Sequence, residues 1–273
     1  MVAIAMTREM GTLGKDVAQG IAESLNLNVV HSELVEHDLA TRLGVQESTV
    51  HHYLEGNASL LERWKIDKKK LSQYTAEEIL ELARDGNVVI RGWGAVAVLR
   101  SVPHVLRVRV CAPMAYREQV IMERLGLKDA SEARSEIERN DAAHAQVMRG
   151  FFGVNWENPH LYHVVLNTGC VPIETCVRIV RLLTDDPALQ ESENSRVALA
   201  DKLIEARARI VVDALGLSTP AGIDVSVVGG KVTLSGFLDQ DISSAVDKVR
   251  QIEGVKDVDN KIERIVLNVI YGA

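Results

Sequence analysis

The segment between Thr7 and Asp16, which reads TREMGTLGKD, holds the residues of this chain that are best suited to chemistry. Gly11 and Gly14 let the backbone approach a ligand closely, and backbone N–H groups at the start of a helix attract anions. Lys15 adds a positive charge that can reach the outer phosphates of a nucleotide. This combination predicts a phosphate-binding loop formed by Gly11, Thr12, Leu13, Gly14, Lys15 and Asp16.

The match to the phosphate-loop pattern G-x-x-x-x-G-K-[ST] is incomplete. Glu9 stands where the pattern has its first glycine, and Asp16 and Val17 stand where it has a metal-holding hydroxyl. Asp16 could bind magnesium itself, although its charge would also repel phosphate. The alternative that these residues leave open is an ordinary glycine-rich turn between a strand and a helix.

The elements around this loop are those that a phosphate site requires. Apolar segments that predict strands occur at residues 2–6, 28–30, 88–90, 105–110 and 164–166. Apolar residues at helical spacing separate them, and Thr75 with Glu78 resembles the capped start of one helix. Strands that alternate with helices predict an α/β fold, in which a parallel sheet is flanked by helices. Ligands bind such sheets at the carboxyl ends of the strands.

The pattern changes after residue 184, where the polar stretch 185–195 predicts a linker. Beyond it, the order helix, strand, strand, helix and strand is predicted at 196–215, 223–227, 231–235, 240–252 and 256–266. The pair Gly229-Gly230 between the first two strands is typical of a hairpin turn. A small α+β domain is therefore expected over 196–273, separate from the domain at 1–184.

Composition is that of a soluble globular protein, with 47% hydrophobic and 25% charged residues among 273. It excludes a disordered, collagen-like or disulfide-stapled chain. The formal net charge of −7 gives no bulk electrostatic reason to coat nucleic acid, so no nucleic-acid partner is expected.

The cysteines and the apolar runs indicate the compartment. Cys111, Cys170 and Cys176 form no C-x-x-C pair, so disulfides are not implied and reduced buried thiols are expected. No apolar run approaches the ~20 residues of a membrane span, so no transmembrane segment is expected. The apolar start at residues 2–6 is too short for the core of a signal peptide. We therefore expect a cytoplasmic protein.

Segments spread over residues 2–183 match one family pattern in its order. Residues 4–15 match a strand followed by a Ser-Arg-Glu-aromatic-Gly-Ser-x-Gly loop, and residues 30–35 (VHSELV) match Tyr-Asp-x-Glu-Leu-Ile. Further matching segments lie at 89–95, 108–117, 137–141, 151–156 and 162–167. Together they resemble the cytidylate kinase-like family, which implies a P-loop-type sheet and a nucleotide-binding domain at 1–184.

The carboxy-terminal part carries a second pattern. Ile223-x-Val225 is followed by GKVTLSG at 230–236 and GVKDV at 254–258. This pattern resembles a BON domain. The resemblance implies an interaction module, so we expect a protein or lipid-surface partner for residues 196–273, and oligomer formation stays open.

The first resemblance implies ATP-dependent phosphoryl transfer to a nucleoside monophosphate such as CMP. Such transfer needs a phosphate loop, magnesium and cations that close over the transferred group. ATP and magnesium are the implied cofactors, with Asp16 as the candidate metal ligand. The implied catalytic residues are Lys15, Arg117, Arg124 and Arg139. The implied acceptor-binding residues are His31, Glu33, Arg91 and Trp93.

Three positions depart from the family pattern. His31 stands for an acidic residue, Arg91 and Trp93 flank Gly92 where the family has Gly-Arg, and His144 stands for a lid arginine. A histidine is only partly charged near pH 7 and lacks the bidentate fork of arginine. Two further interpretations therefore stay open: a catalytically weak or inactive nucleotide sensor that signals through the BON-like domain, and an interaction scaffold whose kinase fold is structural only.

Overall fold

The computed structural model of this protein describes residues 2–30, 32–54, 67–92, 94–216, 223–238 and 241–264, with all their side chains except those of 32–35, 53–54 and 264. Within them, five parallel strands form one sheet in the spatial order β2-β3-β1-β4-β5. The strands are β1 (Ala3–Arg8), β2 (Asn28–Val30), β3 (Val88–Arg91), β4 (Val105–Cys111) and β5 (Val164–Asn167). The predicted parallel α/β sheet is therefore confirmed.

Strand β1 occupies the centre of this sheet because its sequence is apolar without interruption. Ala3 to Met6 are at most 2% exposed, as expected for a parallel strand that is covered on both faces. Its register places Ala3 beside Val88 of β3 and Val105 of β4. The carboxyl ends of the parallel strands consequently meet at one edge of the sheet.

Helices flank this sheet. They are α1 (Gly14–Leu25), α2 (Ser32–Leu43), α3 (Glu47–Leu54), α4 (Lys68–Asp85), α5 (Ala95–Val98), α6 (Met114–Leu125), α7 (Ala130–Phe152) and α8 (Ile173–Thr184), with 3₁₀ turns at Leu99–Ser101 and Pro159–Leu161. Val17 and Ile21 of α1 and Val180 of α8 are buried in one apolar cluster with Ile4 and Val108 of the sheet. This cluster fixes α1, and with it the loop that precedes α1.

Helix α4 begins earlier than the sequence pattern predicts. The carboxylate of Asp67 accepts hydrogen bonds from the N–H groups of Lys69 (2.9 Å) and Lys70 (3.2 Å), and thereby caps the helix. Thr75 lies inside the helix, where its hydroxyl donates to the carbonyl of Leu71 at 2.7 Å. The prediction of a helix start at Thr75 is therefore wrong, because an aspartate cap lies upstream of it.

The chain divides into two compact units, Met1–Ser195 and Arg196–Ala273. The second unit contains β6 (Ile223–Val228), β7 (Lys231–Leu238), α10 (Ser243–Arg250) and β8 (Asp257–Arg264), and α9 (Glu193–Ala214) supplies its first helix. Strands β6 and β7 pair antiparallel, and β7 and β8 pair parallel. The predicted small α+β unit with the order α-β-β-α-β is confirmed; residues 265–273 lie outside the described residues.

The predicted linker is partly ordered. Residues Pro187–Leu189 form a 3₁₀ turn, and Leu189 packs against the apolar cluster of the first unit. Gln190 donates through Nε2 to the carbonyl of Thr184 at 2.6 Å. Helix α9 begins at Glu193, slightly before the predicted start. No helix among the described residues is both long and apolar enough to span a membrane.

Candidate functional site

The loop between β1 and α1 lies at the point in the sheet where the connections between strands change direction. The connection after β1 leads towards β2, and the connection after β4 leads the opposite way to β5. Glu9 donates its N–H to the carbonyl of Val110 at 3.1 Å, and Thr168 donates its hydroxyl to the carbonyl of Thr12 at 2.7 Å. Open α/β sheets bind ligands at such a point, between adjacent strands that connect in opposite directions.

Backbone N–H groups accumulate in this loop. Asp16 and Val17 both donate to the carbonyl of Leu13, at 3.0 and 3.1 Å. Within the described part of the chain, the N–H groups of the five successive residues 11–15 have no protein acceptor. Leu13 is left-handed (φ 53°) and precedes the right-handed α1, and such a pair of conformations turns successive N–H groups towards one concave point. The loop can therefore bind an oxyanion.

Both glycines of the loop are required by its geometry. Gly11 has a φ of +79°, and a Cβ there would lie 2.8 Å from the carbonyl oxygen of Arg117. A Cβ on Gly14 would lie 2.8 Å from the Cβ of Arg8. A side chain at either position would displace the loop backbone.

Glu9, the main departure from the phosphate-loop pattern, holds the loop against β4 and α6. Its carboxylate lies 2.6 Å from the guanidinium of Arg109 and 3.3 Å from that of Arg117. It also accepts the N–H of Ala112 at 3.4 Å. The side chains of Arg109 and Arg117 are only 7% and 6% exposed. Glu9 is therefore engaged by buried cations at the end of the sheet.

Arg117 and Asp141 hold the peptide groups on either side of Met10. Arg117 donates from Nε to the Met10 carbonyl at 2.7 Å, and Asp141 accepts the Met10 N–H through Oδ1 at 3.1 Å. The two side chains are also paired with each other through Nη2 and Oδ2. Because Asp141 belongs to α7, this contact ties α7 directly to the loop.

His144 lies one turn further along α7 and packs under the loop. Its Nε2 is 3.3 Å from the hydroxyl of Thr7, and its ring meets Trp156 edge-on with centroids 4.5 Å apart. Burial, with repulsion from Arg8, lowers the pKa of His144 to about 4. The ring is therefore neutral at pH 7, and it does not replace the charge of a lid arginine.

The His144→Gln variant is expected to lose stability less steeply than the natural protein as the pH falls. The unfolded ring takes up a proton near pH 6.5 and the folded ring only near pH 4, so stability that is present above pH 6.5 is lost as the pH falls through this window. Between about pH 8 and pH 5 this residue accounts for about 2 kcal/mol of lost stability.

Urea unfolding at both pH values, followed by tryptophan fluorescence, measures this difference. The fluorescence reports on the first unit, because all three tryptophans lie in it. The exposed His160 provides the control for the loss of one histidine, since His160→Gln should change the stability at pH 8 by no more than about 0.5 kcal/mol, as for most surface substitutions. An equal loss of stability in His144→Gln and the natural protein would contradict the prediction.

Sequence reasoning did not identify Arg109, Asp141 or Thr168 as part of this arrangement. Burial of the Arg109 guanidinium acts to lower its pKa, but the hydrogen bonds and charges of Tyr162 and Glu9 together outweigh burial and raise this pKa. One signal was present in the sequence: an arginine inside an apolar parallel strand must have a partner, because a buried unpaired charge is very costly.

The predicted cations divide into two groups. Arg117 is buried beside the loop, as described above. Lys15 and Arg124 are exposed, and Arg139, also exposed, pairs with Glu136 one turn earlier on α7. Asp16 is exposed in the first turn of α1. The catalytic and metal-binding roles of these residues stay predictions.

The predicted acceptor residues are only partly described. Arg91 is half-buried at the end of β3, and the following Gly92 donates its N–H to the carbonyl of Met6 at 2.9 Å. Glu33 belongs to α2, but its side chain lies outside the described residues, as do His31 and Trp93. Of this group, Arg91 is thus placed at the same sheet edge as the loop.

Comparison with known proteins identifies both units. Residues 3–169, more than half of the chain, match the model of the cytidylate kinase-like family, and residues 200–265 match the BON domain. Cytidylate kinases of Pyrobaculum neutrophilum and Pyrobaculum arsenaticum are each 26% identical over 182 residues, which are 66% of this chain and 90% of the relative.

A solved structure supports the fold of the first unit. The crystal structure of an uncharacterized protein from Eubacterium ventriosum is similar with a TM-score of 0.54 and 18% identity, over 68% of this chain and 99% of that one. The family match and the cytidylate kinase relatives confirm the prediction of a nucleoside monophosphate kinase-like phosphotransferase at the level of the family. The chain belongs to the cytidylate kinase-like family and carries a BON domain after its kinase-like unit.

Proposed function

We propose that this protein transfers a phosphoryl group from ATP to a nucleoside monophosphate of the CMP type. The observation that carries the proposal is the run of successive N–H groups at residues 11–15, which have no acceptor among the described residues and lie beside Lys15. Preorganised donors of this kind stabilise the charge on a transferring phosphoryl group, which is the main task in this chemistry.

The loop fits ATP with magnesium. Its N–H groups and the exposed Lys15 are donors for phosphate oxygens. The described residues contain no cluster of three or more metal-ligating side chains. Magnesium commonly needs only one or two carboxylates in addition to phosphates and water, and Asp16 is the carboxylate at hand. Magnesium would there neutralise the charge that develops on the phosphates.

The side chains have different roles in this proposal. Lys15 draws the outer phosphates towards the loop, and Arg124 and Arg139 close over the transferred group from α6 and α7. Arg117 holds the loop in shape through Met10 and Glu9. His31, Glu33, Arg91 and Trp93 are proposed to bind the acceptor nucleotide.

A direct assay of the full chain tests this proposal. The protein is incubated with ATP, magnesium and one of CMP, dCMP, UMP, AMP or GMP, and the nucleoside diphosphate product is quantified. We expect product formation with CMP or dCMP in preference to the purine nucleotides. Absence of any diphosphate product with all acceptors would contradict phosphoryl transfer.

Nucleotide binding without turnover is the second candidate function, and two observations favour it. All three guanidinium nitrogens of Arg117 are occupied by protein groups, and His144 is neutral at pH 7. Arg117 and His144 both occupy positions that are expected to supply positive charge to the transition state. In this arrangement Arg117 is engaged by protein groups and His144 carries no charge. Calorimetry with the same preparation separates the candidates: binding of ATP or CMP without product supports the sensor, and no binding of any nucleotide contradicts both.

The BON-like unit is proposed to join this nucleotide site to a partner, which is a protein or a lipid surface. No nucleic-acid partner is proposed, and the cytoplasm is the proposed compartment. In the sensor candidate, nucleotide occupancy of the first unit would change how the BON-like unit binds its partner.

A further inference from the structure

Two cysteines lie at or just after the carboxyl ends of the paired strands β4 and β5, close to the nucleotide loop. Cys111 is the last residue of β4 and pairs in register with Asn167 of β5. The chain then turns back: Thr168 donates its N–H to the carbonyl of Cys111 at 3.0 Å, and Cys170 donates its N–H to the carbonyl of Asn167 at 3.1 Å. This tight turn keeps Cys170 next to the end of β5, the strand that pairs with β4.

Packing and electrostatics agree with this placement. A Cβ on Gly169 would lie 2.5 Å from the Cδ of Pro113, so the backbone of the turn rests directly on the residues that follow β4. Burial and the charge of Glu9 raise the pKa of Cys111, and the thiol of Cys170 acts in the same direction. Cys170 and Cys111 therefore lie within electrostatic range of each other at this end of the sheet.

The cysteines differ in exposure, contrary to the expectation of uniformly buried thiols. Cys170 is exposed, Cys111 is partly buried and Cys176 is buried. An exposed thiol meets oxidants first, and a thiol beside it can resolve the oxidised product to a disulfide. Cys176 of α8 is buried in the apolar cluster of the first unit and serves as an internal reference.

We propose that Cys111 and Cys170 form an oxidation site that hydrogen peroxide converts to an intramolecular disulfide. The Cys170 thiolate attacks one peroxide oxygen and the O–O bond breaks, which leaves a sulfenic acid and a hydroxide that takes up the thiol proton as water. The Cys111 sulfur then attacks the sulfenic sulfur, the S–O bond breaks, and a second water leaves with the Cys111 proton. Two thiols and one peroxide thus give one disulfide and two waters.

Formation of this disulfide would disturb the nucleotide loop through the hydrogen bond of Thr168. This residue lies inside the turn, is 7% exposed and holds the carbonyl of Thr12 at 2.7 Å. Closing the disulfide draws Cys170 towards Cys111 and so shifts the turn. The expected result is a roughly fivefold weaker affinity for nucleotide, the effect of one lost neutral hydrogen bond. This consequence rests on the proposed function, whereas the disulfide itself does not.

Peptide mapping of the peroxide-treated full chain tests the disulfide independently of activity. The monomer should lose two hydrogen atoms in mass, and a cross-linked peptide should join Cys111 to Cys170 and disappear after reduction with dithiothreitol. Cys170→Ser should abolish the cross-link, and the control Cys176→Ala should retain it. Nucleotide affinity, measured before oxidation, after it and after reduction, tests the consequence.

Each other outcome has a defined meaning. A disulfide between two Cys170 residues of separate chains, a sulfinic acid at Cys170 without a cross-link, or a chain that keeps all its thiols would overturn the proposed site. A cross-link that forms while nucleotide affinity stays constant would overturn the link through Thr168 and keep the site. A chain that binds no nucleotide even when reduced would contradict the proposed function alone.

Discussion

Replacing Lys15 with methionine is expected to slow phosphoryl transfer roughly 10²–10³-fold, the usual cost of removing one donor to a developing oxyanion. Lys15 is exposed in the first turn of α1, next to the N–H groups at residues 11–15. Its ammonium group supplies the positive charge of the loop, since the N–H groups supply only partial charges. Methionine keeps the length and helix propensity of the side chain and removes the charge.

The matched control is Lys248→Met, an exposed lysine on α10 of the second unit. It should leave the rate and the melting temperature unchanged. For Lys15→Met, a thermal-shift titration with ATP and magnesium should show a smaller stabilisation than in the natural protein, because ligand that binds the native state raises the melting temperature. Full activity in Lys15→Met would refute the assigned role of this loop.

The loop and its neighbouring elements were predictable because their signals are local. The apolar β1, the glycines at 11 and 14 and the apolar spacing of α1 follow one another within a few residues. Each of these signals selects the same local structure, and the structure confirms the strand and the helix. The second unit was predictable for the same reason, since alternation and a Gly-Gly turn define its hairpin.

The contacts that shape the loop were not predictable, because their partners are distant in sequence. By spacing alone Glu9 is a defect of the phosphate-loop pattern, yet its partner Arg109 lies 100 residues later on β4. By position alone His144 is a weakened lid cation, whereas its burial and the charge of Arg8 keep it neutral. Periodicity and spacing report on neighbours along the chain, and only the sheet order brings these residues together.

The Arg117→Met variant is expected to lose about 3–5 kcal/mol of unfolding free energy, the usual cost of breaking a buried ion pair from one side. The substitution leaves the carboxylates of Glu9 and Asp141 without this cation and the Met10 carbonyl without its donor. Lysine cannot replace it fully, because one ammonium group does not match the planar fork that reaches these three acceptors. Urea unfolding followed by tryptophan fluorescence measures the loss in the first unit.

Arg124→Met is the matched control, because Arg124 is exposed two turns later on the same helix. Its effect on stability should stay within about 0.5 kcal/mol, as for most surface substitutions. The pair of variants also distinguishes a positioning role from the catalytic role that the resemblance implies for both arginines. A destabilised Arg117→Met beside a stable but slow Arg124→Met makes Arg117 a positioning residue and Arg124 a phosphate-binding one. Unchanged stability in Arg117→Met would instead contradict the positioning role of its guanidinium.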